Sequence, residues 1–346
     1  MSVTIKDIAK QCGVGVSTVS RALNNHPDIN PQTREMIMKV IRETGFVPND
    51  SARYLKRSES NSLALLVKGI SNPFFSEMIR IMEMETEKRG YSVILRHVSA
   101  NEDEVAIAYS LVRERRLKGI IFLGGNFTHD VEALKKLGVP YIFSTIGNVN
   151  ENTNDDDLIA NIAVDDVEAS REAVDYLIQQ GHRNIAIVTD ALHVPSVGQL
   201  RFRGYRKALE AHGIPYREEL VYEVNDGTEH YTRPNGYKAA RSLLSAHPEI
   251  TAFFCISDVL AFGVCRAVVE RGKRIPLDVS VVGFDGIEEG DYYIPKLTTV
   301  RQPVEQMAEE TVNLLFDMIQ KKAKPKNIIM PAQLLIKESS GMGYRG

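Results

Sequence analysis

The chain of 346 residues holds no tryptophan, and its three cysteines, Cys12, Cys255 and Cys265, form an odd set without C-x-x-C spacing. A disulfide framework and a thiolate metal ribbon are thereby excluded, and reduced, buried thiols are expected. No stretch approaches the ~18 apolar residues of a membrane span, and MSVTIKDIAK at the start lacks the apolar centre of a secretory signal. A cytoplasmic protein without membrane contact is the expectation. Catalytic signatures are missing too. No G-x-S-x-G elbow, Walker G-x-x-x-x-G-K-[ST], H-E-x-x-H or strand-borne G-x-G-x-x-G occurs. The eight histidines are scattered without ligand spacing. No catalytic residue, no metal and no cofactor is expected, and the chain reads as a non-enzyme.

What is present is an ordinary globular composition, 43% hydrophobic and 25% charged. The length exceeds what a single growing core accommodates, so two or three domains are expected. The net charge of −3 is unevenly spread. Residues 1–60 carry nine Lys/Arg against six Asp/Glu, which leaves a head of +3 on a body of −6. Such a basic head favours docking on a phosphate backbone at one end only.

The head patterns as three short helices. Ile5, Ile8, Ala9 and Cys12 share one face of the first, and Val16, Val19 and Leu23 share one face of the second. Gly13 turns the chain between them. Ser17, Thr18, Ser20 and Arg21 then point outward, the layout of a helix-turn-helix whose polar face is free to enter the major groove. Asn30-Pro31 reads as a cap and first residue of a third helix, with an Ile37, Val40, Ile41 stripe and a Gly45 stop.

Residues 48–60 form a linker containing the helical spacing Ala52–Arg57, too short to persist alone. From Ser62 onward, apolar runs alternate with amphipathic helices, which implies parallel sheets covered on both faces. An Asn/Asp-rich loop at 148–161 divides this body, read as a solvated connection rather than a metal site, and the same rhythm resumes beyond it. The expected architecture is therefore an all-α helix-turn-helix head plus an α/β body of two doubly wound parallel-sheet subdomains. The boundaries are 1–47 for the head, 48–60 for the hinge and 61–346 for the body. Within the body, one subdomain takes about 61–164 and 295–325, the other about 165–294 and 326–346.

Open parallel sheets bind ligands beyond the carboxyl ends of their strands. Those ends place Ser71-Asn72-Pro73-Phe74-Phe75, Gly124-Gly125-Asn126, Ser144-Thr145, Arg201, Ser257-Asp258 and Asp285-Gly286 together. Aromatics, one guanidinium, carboxylates and an amide suit a small polar molecule with stacking faces and hydroxyls.

TIKDIAKQCGVGVSTVSRALNN, GFVPNDSARYLKR, SNPFF, VVGFDG and LTTVRQP together resemble the LacI/GalR family of bacterial transcription regulators, over essentially the full length. The resemblance implies base contacts from Val16, Ser17 and Arg21, with Leu55 wedged into the minor groove beside Lys56. It implies phosphate contacts from Thr4, Thr18, Ser20, Asn24, Thr33 and Asn49. The body is implied to be of periplasmic-binding-protein type, with Phe74, Arg201, Tyr231, Asp258 and Asp285 lining an effector pocket and Asp165 adjoining them. Phe75 and Asn126 join this set from the strand-end reading, and Tyr231 rests on the resemblance alone. Gly15 stands where the family usually has a capping serine, and Pro195 and Val197 stand at positions polar in purine-binding relatives.

The expected function is a sequence-specific, nucleoid-associated repressor that binds an inverted-repeat operator in double-stranded DNA as a homodimer. A small-molecule effector, sugar-like rather than purine, controls it. Control by a partner protein, or a solute-binding protein of the same body fold, are the competing readings.

Overall fold

The computed structural model describes residues 3–23, 28–44, 46, 61–99, 102–125, 131–147, 159–225 and 229–342. The chain divides into two units, Met1–Ser60 and Asn61–Gly346.

In the first unit, α1 (Ile5–Cys12), α2 (Val16–Leu23) and α3 (Pro31–Thr44) enclose a core of Ile8, Ala9, Val19, Ala22, Ile37 and Ile41. Thr4 and Asp7 form a reciprocal capping box. The Thr4 hydroxyl accepts from the Asp7 N–H, and the Asp7 carboxylate accepts from the Thr4 N–H at 2.9 Å. Gly13, at φ +63°, ends α1 in the left-handed region that glycine adopts without penalty. Asn30 caps α3, its Oδ1 accepting from Gln32 N–H at 2.9 Å. One assignment changes. Val16 is not a core residue: it is 42% exposed, and Ala22 is the second buried residue of α2 beside Val19. The reason is positional, since Val16 opens its helix and stands at the rim of a very small core.

The second unit contains two six-stranded sheets. The first has strand order β11-β5-β4-β3-β1-β2, from β1 (Ser62–Lys68), β2 (Ser92–Val98), β3 (Gly119–Leu123), β4 (Tyr141–Ser144), β5 (Ala160–Val164) and β11 (Asn327–Met330), all parallel. Its helices are α4 (Pro73–Lys88), α5 (Glu104–Arg115), α6 (Val131–Lys135) and α11 (Val304–Ile319). The second sheet has order β12-β10-β9-β8-β6-β7, from β6 (Ile185–Thr189), β7 (Val221–Glu223), β8 (Ala252–Cys255), β9 (Ser280–Asp285), β10 (Thr298–Arg301) and β12 (Gln333–Leu335). Only β12 runs antiparallel. Its helices are α7 (Asp166–Gln179), α8 (Val197–Ala211), α9 (Arg233–Ala246) and α10 (Asp258–Glu270). Each of β1, β3, β6, β8 and β9 is an almost uninterrupted run of buried apolar residues, as a sheet covered on both faces requires.

Two strands escape the sequence reading, β5 and β11. β5 is hidden in the tail of the Asn/Asp-rich loop, and β11 is a four-residue edge strand. They pair with each other and shift the expected subdomain boundaries. β10 pairs with β9 and stays in the second lobe, while β11 pairs with β5 in the first. The chain therefore changes lobes near Asp165, at Gln302-Pro303 and at Pro331-Ala332, rather than at 294/295 and 325/326.

In the second lobe, α9 and α10 touch backbone to backbone through two glycines. A Cβ on Gly263 would sit 2.0 Å from the Arg233 carbonyl, and one on Gly236 would sit 2.0 Å from that of Leu260. No side chain can yield to relieve either clash, so the helices would have to separate. Gly263→Ala should accordingly destabilise the body by about 1–3 kcal/mol, read as a fall of roughly 2–8 °C in its melting transition. An unchanged transition would show that these helices are not held at their observed distance.

Candidate functional site

In the head, Val16, Ser17 and Arg21 lie exposed on α2, while Thr18, Ser20 and Thr33 are half-buried and Thr4 is exposed. The hydrophobic surface of α2 is turned inward through Val19 and Ala22, which leaves hydroxyls and a guanidinium outward. That combination matches the edges of bases and phosphate oxygens in a major groove. Gly15 supplies the carbonyl that receives the Thr18 N–H at 2.9 Å, but no capping side chain. Asn24, Asn49, Leu55 and Lys56 lie outside the described residues.

In the body, the strands of both sheets end on a cleft of about 300 Å³ shared by the two lobes. From the first lobe it takes Lys68, Asn72, Phe74, Phe75 and His97; from the second, Asp190, Arg201, Tyr231 and Asp285; Gln302, from a crossing segment, completes it. The rings of Phe74 and Phe75 meet edge to face, with centroids 5.4 Å apart.

Arg201 organises the floor. It projects from α8, whose amino end is capped by Ser196, and is 4% exposed. Its Nε donates to Asp166 Oδ1 at 2.8 Å and its Nη1 to the Ile256 carbonyl at 2.5 Å. Asp285 lies 3.5 Å from Nη1, and the guanidinium stands 3.6 Å above the Phe284 ring. Burial alone would depress the Arg201 pKa, but Asp166 and Asp285 outweigh it and hold the value above the usual one. The guanidinium is a fixed charge.

Asp285 closes β9 at φ +116°, a conformation costing roughly 1–3 kcal/mol for a residue with a side chain. Three partners hold it there. Asn72 Nδ2 donates to Oδ2 at 2.9 Å, Gln302 Nε2 donates to Oδ1 at 3.0 Å, and Arg201 faces the same oxygen. Asn72 also caps α4 by accepting from the Phe74 N–H at 3.2 Å. One amide thus orients the phenylalanine-bearing helix of the first lobe and grips the carboxylate of the second. Burial raises the Asp285 pKa to about 6, against the opposing pull of Arg201, Asn72 and Gln302. A second polar group surrounds Asp190, which accepts from Tyr231 Oη at 2.9 Å and Ser196 Oγ at 3.1 Å. Burial raises the Asp190 pKa as well, again opposed by its hydroxyl donors.

Of the expected effector residues, Phe74, Phe75, Arg201, Tyr231 and Asp285 line this cleft. Asn126 lies outside the described residues. Two expectations need correction. Asp258 does not reach the cleft: it is fully buried, and it accepts from the Gly286 and Ile287 N–H groups at 2.8 and 2.9 Å and from Thr299 Oγ1 at 2.6 Å. Its place at a strand end is real, but its oxygens are consumed in shaping the turn after Asp285. Asp165 is exposed and caps α7 through the Glu168 N–H at 2.9 Å; its neighbour Asp166 is the one that meets Arg201. Sequence reasoning also missed Asp190 and Gln302. The former directly follows the last residue of β6, so the strand-end rule reaches it. Gln302 lies within the LTTVRQP stretch but nothing in that pattern assigns it to the cleft, which it enters because the chain changes lobes there.

A helix-turn-helix head on a two-lobed body with a polar cleft between its lobes defines a DNA-binding regulator equipped to respond to a small molecule. Residues 4–49 match the model described as bacterial regulatory proteins, lacI family, and residues 174–340 match the periplasmic binding protein-like domain. The regulator MalR of Clostridium butyricum is 37% identical over 97% of this chain and 98% of its own length. Catabolite control protein A of Priestia megaterium is 31% identical over 98% of this chain and the whole of its own. A solved complex of the transcriptional regulator CelR with cellobiose is 28% identical, with a TM-score of 0.72 over 98% of this chain and all of that one. The chain belongs to the lacI family of bacterial regulatory proteins. It is a DNA-binding transcription regulator, not an enzyme.

The raised pKa of Asp285 has a stability consequence with a definite sign. Because the folded value of about 6 exceeds the ordinary 3.8, the associated stability is present at pH below 3.8 and is lost as pH rises through 6. Measured against Asp285→Asn, wild type should lose on the order of 3 kcal/mol between pH 3.5 and pH 7 in denaturant unfolding. Parallel pH profiles for the two proteins would contradict the assignment.

Proposed function

We propose that this protein is a repressor that binds an inverted-repeat operator as a homodimer, acts in the cytoplasm on nucleoid DNA, and is controlled by a neutral sugar of disaccharide size. The observation that carries this reading is the arrangement of Arg201, Asp285 and Gln302 facing Asn72, Phe74 and Phe75 of the first lobe. Charged donors and acceptors at fixed positions distinguish one hydroxyl pattern from another, and ring faces cover the apolar side of a pyranose. The second polar group, at Asp190 and Tyr231, provides hydroxyl partners beyond the first and suits a ligand of two linked rings. Three carboxylates, Asp190, Glu229 and Asp285, line the cleft, which disfavours a phosphorylated sugar. The solved CelR complex, with cellobiose, is consistent with this class.

The DNA-reading roles follow the exposed face of α2, with Arg21 assigned the bidentate guanine contact. Val16, lacking a hydrogen-bonding group, is assigned apolar contact with a thymine methyl. Ser17 is assigned to a base edge, and Thr4, Thr18, Ser20 and Thr33 to phosphates. The linker residues Leu55 and Lys56 are assigned to the minor groove, with Asn24 and Asn49 as further phosphate contacts.

Melting the full-length protein with cellobiose, maltose, ribose, glucose 6-phosphate and hypoxanthine tests the effector class. A ligand at ~100 times its Kd should add about 2.7 kcal/mol, and stabilisation by hypoxanthine or the sugar phosphate alone would refute it. With the active sugar in hand, Arg201→Ala should bind operator as wild type does but lose the response, which gel shifts with and without sugar would reveal. Arg21→Ala should lose about 1–3 kcal/mol of discrimination at one base pair of each half-site while keeping non-specific affinity. Retained discrimination there would reassign the contact.

A further inference from the structure

All strands of the first sheet run parallel, so their starting residues share one edge, with Ser62 level with Ser92, Leu63 with Gly119, Ile120 with Tyr141, and Asn161 with Asn327. Four helix-to-strand connections arrive there, following α4, α5, α6 and α11. Counted from the last helical residue, they contain Lys88 and Arg89; Arg115, Arg116 and Lys118; Lys135 and Lys136; and Lys321, Lys322, Lys324 and Lys326. These are eleven cations without a single acid, on a body whose net charge is negative. All but Arg89 and Lys118, which are half-buried, are exposed.

Cations near helix carboxyl ends complement the helix dipole, but that does not account for the pattern. The four corresponding connections of the second lobe, after α7, α8, α9 and α10, end helices in the same way and hold five cations and five acids. The excess belongs to one lobe. That lobe is also where the tether from the head enters: the Asn61 carbonyl accepts from the Ser92 N–H and the Ser62 carbonyl from the Lys118 N–H, both at 2.9 Å. The thirteen tether residues, 48–60, span at most about 45 Å. A duplex held by the head is therefore a polyanion tethered to the same chain, with one phosphate per ~1.7 Å.

We propose that the strand-start edge of the first lobe is a second DNA-contacting surface, which holds the backbone outside the segment read by the heads. Several of its cations have partners already: Lys88 and Arg89 share Glu85, Lys135 meets Glu132 and Lys326 meets Glu310. The Lys135 and Lys326 pairs are solvent-accessible on both sides and weak enough to be exchanged for phosphate, whereas Glu85 is largely buried. The contact carries no sequence information; it adds affinity and salt dependence.

The test uses the full-length protein and random-sequence duplexes of 18 and 60 base pairs, with affinity measured against salt concentration. Wild type should show a steeper slope of log K against log salt on the long duplex than on the short one. Replacing Lys321, Lys322, Lys324 and Lys326 together by Gln should lower long-duplex affinity about tenfold and flatten its slope by about 2. Short-duplex binding should stay as it was. Arg115→Gln with Arg116→Gln and Lys118→Gln should act in the same direction. Equal wild-type slopes on both duplexes would overturn the proposal, whether the edge then served an acidic protein or nothing. The short duplex separates that outcome from a failure of the head to bind DNA.

Discussion

A guanidinium buried away from bulk solvent must be surrounded by acceptors, and the body of this regulator is arranged around that requirement. Arg201 draws Asp166 from the first turn of α7, the Ile256 carbonyl from the end of β8 and Asp285 from the end of β9 into one cluster. Removing any one acceptor would leave a buried charge underpaired, a far larger penalty than the worth of a surface ion pair. The cluster therefore makes the cleft floor rigid before any ligand arrives. Preorganisation of this kind spares the ligand the entropy of ordering its own site.

Asp285 converts that rigidity into communication between lobes. Burial raises its pKa, while its strained backbone is held by Asn72 from the opposite lobe and Gln302 from a crossing segment. A hydroxyl presented to Asp285 competes with the bond that joins the lobes, and any differential binding of two lobe arrangements shifts their populations. The lobes are joined by three crossing segments, and the first lobe also receives the tether from the head.

Much of this was legible in the residues. The head announces itself through two apolar faces and a glycine turn, and the alternation of buried runs with amphipathic helices specifies parallel sheets. Phe74, Phe75, Arg201 and Asp285 line one cleft because strand ends in a parallel sheet gather there whatever the loops contain, while Tyr231 rests on the resemblance alone. The misreadings have separate causes. Val16 has the spacing of a core residue but stands where the core has run out. Asp258 occupies a strand end, yet two N–H groups of the turn after Asp285 and the Thr299 hydroxyl of β10 absorb its oxygens. β5 and β11 are short and flanked by polar loops, so neither stands out until the two are paired.

Local pattern alone thus determined the helix-turn-helix head, the parallel α/β body and the neighbourhood of the cleft, since each depends on periodicity or on chain direction within a few turns. Tertiary structure decided which of two adjacent aspartates, Asp165 or Asp166, meets Arg201, and where the chain changes lobes. It also brought Asn72 to Asp285, 213 residues further along, and four lysine- and arginine-bearing connections to one edge. Those outcomes depend on strand order and side-chain direction across long separations, which no stretch of sequence records by itself.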